Sequence, residues 1–239
     1  LLGDIGHPTT FPERSQYRPI CARTPGSGRA AVISREQPVA HNGLVVSEEW
    51  IAYRLAVMCS DTRGRVATGR VLWDQAVRVA LLIDLALRGR LESDIGESWI
   101  DTSPTGFPAA DKLLADIEAH PDRPITTLFG RADVRINDVL DPGRSRLTRF
   151  GRALTVDRGR AEAVRKAVNE VATTGRADTP AAAALAVLAG ALNLVTPGER
   201  PALLAQAEPV RALLAESANY LDQLIMKLSL IATIPNTSG

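Results

Sequence analysis

Trp73 to Glu92 reads WDQAVRVALLIDLALRGRLE, and between Ala76 and Leu87 its only charged side chains are Arg78 and Asp84. A surface helix carries a polar stripe, and this segment has none, so a helix here must be enclosed on nearly every side. The rest of the chain has to supply the enclosure. Arg88 follows Asp84 by four residues, in the order that suits an acid and a base on one helical ridge, and Gly89 is the residue type that commonly ends a helix. The first expectation is therefore a buried central helix with arginines near both ends.

The 239 residues can build one large core, and aromatic residues make up only 4% while Ala, Leu and Val abound, which favours packed helices over a sandwich of strands. The expected fold is mainly α, a single compact helical domain over residues 44–230 with one or two short β-hairpins. Residues 1–43 hold five prolines and the run TPGSGR without a sustained apolar period, and read as a flexible, weakly basic tail. Residues 231–239 read as a polar C-terminal tail.

Within the domain, Ser47 followed by Glu48 and Glu49 is a helix-start pattern, and that first helix is expected to run to about Ser60. DTRGR at 61–65 reads as a turn. After Gly89, two short segments around Ile95 and Gly96 suggest a hairpin, SPTGFP turns the chain, and Leu113, Leu114 and Ile117 lie at core spacing on a helix. Residues 128–140 suggest a short helix with Arg131 and Arg135 on one ridge. Ala161, Val164, Val168 and Val171 mark an amphipathic helix over 160–173, and Glu199 to Leu230 supplies one or two closing helices.

Residues 179–198 contain no charge at all and have the length of a membrane span. Pro180 and Pro197 bound the helix, Asn193 interrupts it and Ala predominates, so a second buried helix is the better reading. The N-terminal residues show neither an apolar h-region nor a small-residue cleavage site, and the expected location is cytoplasmic.

Net charge is only +1, but it is unevenly spread. From Pro142 to Lys166 eight bases, including Arg144, Arg146, Arg149 and Arg152, face two acids; residues 44–141 carry eleven bases and sixteen acids. One basic face for phosphate-bearing partners is the expectation, and a solvated arginine-rich loop is the plain alternative. Cys21 and Cys59 are the only thiols, so neither a disulfide framework nor a zinc site is expected. The residues around GSGRAAV lack the Lys-Ser/Thr pair of a phosphate loop, and three histidines form no triad. No enzyme, cofactor or metal is expected. Arginine, in contrast, presents a planar fork of donors that is always charged, and a few converging arginines can hold a phosphorylated headgroup.

IDLALRGRLE, preceded by Trp73 and Arg78, resembles the signature helix of the Golgi phosphoprotein 3 family. SEEWIAYRLAVMCSDTRGR upstream and SPTGFPAADKLLADI downstream resemble neighbouring blocks of that family in order and spacing, and the likeness covers roughly residues 44–230. It implies a non-catalytic peripheral membrane adaptor that binds phosphatidylinositol 4-phosphate, or another anionic lipid, through a tryptophan and arginines. Counting back from IDLALRGR, Arg78 falls on the family arginine; Trp73 stands about four residues closer to it than the family tryptophan does. Arg131 and Arg135 are nearest to the family's later arginine pair, with Arg146 and Arg149 as competitors, and the region from 128 to 157 is shorter than in related proteins. The resemblance also leaves homo-oligomers open. Against the headgroup role, Arg78 has the alternative of an ion pair with Asp74, and Trp73 that of simple packing. A second reading is a winged-helix nucleic-acid binder, helix followed by the 90–101 hairpin, although so apolar a helix is ill suited to base edges.

Overall fold

A computed structural model describes residues 21–22, 50–66, 71–94, 97–120, 132–140, 154–214, 222 and 225–226. Its helices, in chain order, are α1 (Ile51–Met58), α2 (Val71–Leu87), α3 (Pro108–Glu118), α4 (Ile136–Leu140), α5 (Arg158–Thr174), α6 (Pro180–Ala191), α7 (Arg200–Leu204) and α8 (Ala207–Leu214). Strands are short: β1 (Cys21–Ala22), β2 (Arg65–Val66), β3 (Leu91–Asp94), β4 (Glu97–Ile100) and β5 (Leu154–Thr155). The protein is mainly α, as its composition predicts. Among the described residues no helix is long and apolar enough to cross a membrane.

α2 is the enclosed helix that its sequence demands, with every residue from Ala76 to Ala86 buried. α1, α3, α4, α6 and α8 pack around it. Each of its fully buried leucines contributes about 2 kcal/mol by leaving water. The helix stops where Gly89 takes φ +66°, and Arg90 N–H and Gly89 N–H then donate to the carbonyls of Leu85 and Ala86. This closing motif needs a residue tolerant of the left-handed region, which glycine is.

α6 is the second enclosed helix, buried continuously from Ala183 to Ala191. Thr179 Oγ1 accepts from Ala182 N–H at its start, and Asn193 at φ +53° ends it, five residues short of Gly198. Small residues let its neighbours come close: a Cβ on Gly190 would lie 3.2 Å from Leu203 Cβ of α7. α5 buries Ala161, Val164, Val168 and Val171, the four residues read as its inner face, between an Asp157 cap and Gly175.

β3 and β4 form the expected hairpin, with Leu91 opposite Ile100 and Asp94 opposite Glu97. β1, from the stretch expected to be a tail, pairs parallel with β4. The turn at 61–65 forms as predicted, because Asp61 Oδ1 accepts from the amides of Arg63 and Arg65 while Gly64 sits at φ +72°. β2 then pairs antiparallel with β5, bringing residues about ninety apart in sequence to one edge. The remainder of the N-terminal stretch, Ser47, the basic residues from Arg144 to Arg152 and Leu221, Leu224 and Leu228 lie outside the described residues.

Two expectations change. The first helix begins at Ile51, and the side chain of its capping residue Trp50 makes no cap bond. Its free amides are met from another helix: Asp84 Oδ1 accepts from Ile51 N–H at 2.9 Å and Oδ2 from Ala52 N–H at 3.0 Å. Asp84 therefore gives both oxygens to α1, and Arg88, its expected ridge partner, lies with its guanidinium carbon 4.1 Å from the centre of the Trp50 ring. The second change is within 128–140: of its described residues, 132–135 are not helical and Ile136–Leu140 is.

Asp84 is 3% exposed, and burial pushes its carboxyl up from 3.8 to about 7, against the pull of the two amides and of Arg88. The unfolded group loses its proton near 3.8 and the folded one near 7, so the native state holds more protons between these values and stability falls as pH rises through that window. Asp84→Ala is expected to cost about 3 kcal/mol by orphaning two buried amides. In urea unfolding, the stability of the wild type minus that of Asp84→Asn is expected to shrink from pH 4 to pH 7. A difference that grows over this range would mean that α1 holds the carboxylate in its charged form.

Candidate functional site

Two of the site residues read from the sequence, Arg78 and Arg135, lie at the seam between the first half of α2 and the segment 132–140. Asp74 and Arg78 are four apart on α2, on one ridge, and both are buried, at 8% and 6% exposure. Arg78 Nε donates to Val134 O at 2.9 Å, and Asp74 Oδ1 accepts from Ile136 N–H at 2.9 Å. Both bonds go to the backbone of the incoming segment. They hold it against α2 until Asp138 Oδ2 accepts from Arg135 N–H at 2.8 Å and starts α4. That is why 132–135 does not join the predicted helix.

Arg78 stays charged although burial draws its proton affinity down, with Asp74 opposing that effect and Arg135 adding to it. The carboxyl of Asp74 is pushed up by burial and held back by the Ile136 amide and by Arg78 and Arg135. Arg78 and Arg135 thus both favour the charged form of Asp74, and Arg135 disfavours that of Arg78. The Arg135 side chain is 48% exposed, and its Nε lies 3.6 Å from Asp133 Oδ1. A pair so long and so exposed is worth little, and an incoming anion could take the place of Asp133.

Lys112 of α3 completes the seam. Its Nζ is 3.0 Å from Asp138 Oδ2 and 3.7 Å from Asp133 Oδ2, and it also donates to Asp133 O. Three cations (Arg78, Lys112, Arg135) therefore stand against three carboxylates (Asp74, Asp133, Asp138). Lys112, Asp133 and Asp138 were not foreseen. The sequence did hold a signal for Asp138, an acid three residues after Arg135 at a helix start, but nothing local ties Lys112 to the seam.

Of the four residues expected to converge, Arg78 and Arg135 do so. Arg131 lies outside the described residues. Trp73 is half-buried and packs against the core, and five residues along a helix set it roughly 140° around α2 from Arg78, so it faces elsewhere. Of the alternatives weighed for these residues, packing describes Trp73; for Arg78, Asp74 one turn away favours its charged form, while the bonds that are seen run from Arg78 to Val134 and from Ile136 to Asp74.

The basic stretch divides in the same way. Arg160 Nη1 donates to Tyr53 Oη at 2.9 Å, and Arg165 Nη2 donates to the Ser60 carbonyl and, at 3.2 Å, to Ser60 Oγ, so both fasten α5 to α1. Arg158 and Lys166 point to solvent. From Ala76 to Ala86, α2 offers no outward face to a nucleic-acid groove, since every residue there is buried.

If Asp74 and Arg78 act as one unit, Arg78→Met leaves a buried acid and the Val134 carbonyl without their partner and costs about 3 kcal/mol. The double variant Asp74→Asn with Arg78→Met is expected to lose less than the two single losses added together, as urea unfolding of the four proteins would measure. Simple additivity would dissolve the unit.

Comparison with curated proteins and with solved structures finds no match. The sequence model of Golgi phosphoprotein 3 (GPP34) does match, over residues 51–225, a range that begins at α1, includes α2 and the seam it carries, and extends past α8. Matched over most of its length, the chain belongs to the Golgi phosphoprotein 3 (GPP34) family.

Proposed function

We propose that this protein is a peripheral membrane adaptor, without catalysis of its own, that binds a phosphorylated lipid headgroup such as phosphatidylinositol 4-phosphate, or another anionic lipid, at the α2/α4 seam. Family membership supports the class of partner. The observation that carries the site is the bond from Arg78 Nε to the Val134 carbonyl, which seats the buried Arg78 against the backbone next to the half-exposed Arg135. Arg135 would take the phosphate through its fork of donors as Asp133 gives way, with Arg131, four residues earlier in the sequence, as the second arginine. Arg78, its Nε already committed to Val134, would act from below as fixed positive charge and as the clamp that presents Arg135. Trp73 would serve outside the pocket, as an amphipathic ring at the bilayer interface.

The test is sedimentation with phosphatidylcholine vesicles, with and without phosphatidylinositol 4-phosphate. The wild type is expected to prefer the phosphoinositide vesicles, and Arg135→Ala to weaken that binding about fivefold, the value of one arginine near an anionic surface. Arg176→Ala, an exposed change just beyond the far end of α5, is expected to leave it unaltered. A wild type that ignores the phosphoinositide, or an Arg135→Ala variant that binds as well as wild type, would remove the site.

A further inference from the structure

We propose a second, headgroup-independent membrane contact at the end of the molecule where β2 meets β5: a basic clasp, flanked by Val71 and Trp73, that lies against an anionic bilayer. This proposal rests on the membrane reading above and adds to it a surface that answers to bulk anionic lipid rather than to one phosphate.

The clasp is built by backbone. Val156 N–H donates to Gly64 O at 2.8 Å next to the β2–β5 pairing, and a Cβ on Gly64 would stand 2.5 Å from Val156 O and 3.7 Å from Arg158 Cγ. Only a glycine allows so close an approach, and it seats the backbone between Arg63 and Arg65 against Val156 and Arg158, which come from a segment over ninety residues away. All three are exposed. Arg65 is paired with Asp61 at 3.0 Å, but Arg63 and Arg158 have no acid partner among the described residues. The nearby acids are turned to local work: Asp61 accepts from the amides of its own turn and Asp157 from Arg160 N–H.

The apolar part of the surface follows from topology. Asp84, in the second half of α2, meets the first turn of α1, so α1 runs back toward the start of α2. The turn at its end and the first turn of α2 therefore share one end of the molecule, joined by residues 67–70, about 18 Å of chain at most. At that end Val71 is 67% exposed, one of two large apolar side chains so exposed among the described residues, and Trp73 is half-buried. Unpaired arginines beside an exposed valine and a tryptophan suit an interface that is anionic at its surface and apolar just beneath. A nucleic-acid site would give no reason to expose Val71.

The experiment measures partition of the full chain onto phosphatidylcholine vesicles containing about one-third phosphatidylserine, at low and high salt, and onto charge-matched vesicles in which phosphatidylinositol 4-phosphate replaces part of the serine lipid. Arg63→Ala with Arg158→Ala, both on the surface, is expected to weaken phosphatidylserine binding about twenty-five-fold and flatten its salt dependence. Its preference for phosphoinositide over phosphatidylserine is expected to stay that of the wild type, whereas Arg135→Ala is expected to lower that preference and spare the phosphatidylserine binding. A double variant that partitions like wild type overturns the clasp, as does a loss confined to duplex DNA, which would assign the surface to nucleic acid. A wild type with no phosphoinositide preference would instead overturn the headgroup site and leave the clasp standing.

Discussion

A helix as apolar as α2 cannot carry charge inside the protein unless each charged group is answered, because an unanswered buried ion costs several kcal/mol. α2 carries three such groups, Asp74, Arg78 and Asp84, and each is answered in part by backbone from another segment: the amide of Ile136, the carbonyl of Val134 and the amides of Ile51 and Ala52. These bonds cross 32 to 62 residues of sequence. The buried charges thus act as tethers that decide where α1 starts, and that hold the backbone at Val134 and Ile136 against α2.

Placement of the candidate site follows from those tethers. Arg135 reaches the surface beside Arg78 because the backbone around it is held on both sides, at Val134 and Ile136, to one ridge of α2. The same economy governs the basic stretch, where Arg160 and Arg165 are fastened to α1 while Arg158 is left outward beside Gly64. Counting arginines along the chain gives the total positive charge; only hydrogen bonding separates those that hold the fold from those left to meet an anion.

Much of the fold was legible because it rests on local rules. The unbroken apolar character of 76–87 and 183–191 could mean only enclosure, Gly89 ended its helix through a left-handed conformation, and the spacing of Ala161, Val164, Val168 and Val171 marked the buried face of α5. Where local rules misled, a distant partner had intervened. Arg131 and Arg135 were read as one helical ridge, yet two side chains of α2 hold the backbone at Val134 and Ile136 so that Arg135 stands before the helix, and periodicity within 128–140 carries no trace of them. Asp84 and Arg88 were read as a ridge pair, yet the carboxylate found two free amides and the guanidinium found an indole face.

By itself the sequence determined the helical class, the two enclosed helices, the hairpin after Gly89 and, through three blocks of likeness, the family, because all of these are written in the order and spacing of neighbouring residues. Tertiary structure alone decided which distant groups share a surface: Arg78, Arg135 and Lys112 at one seam, and Gly64 against Val156 and Arg158 beside the β2–β5 pairing. The reason is that hydrogen bonding and charge act through space over a few ångströms, between groups that the chain separates by dozens of residues, and no local pattern records which of them the fold will bring together.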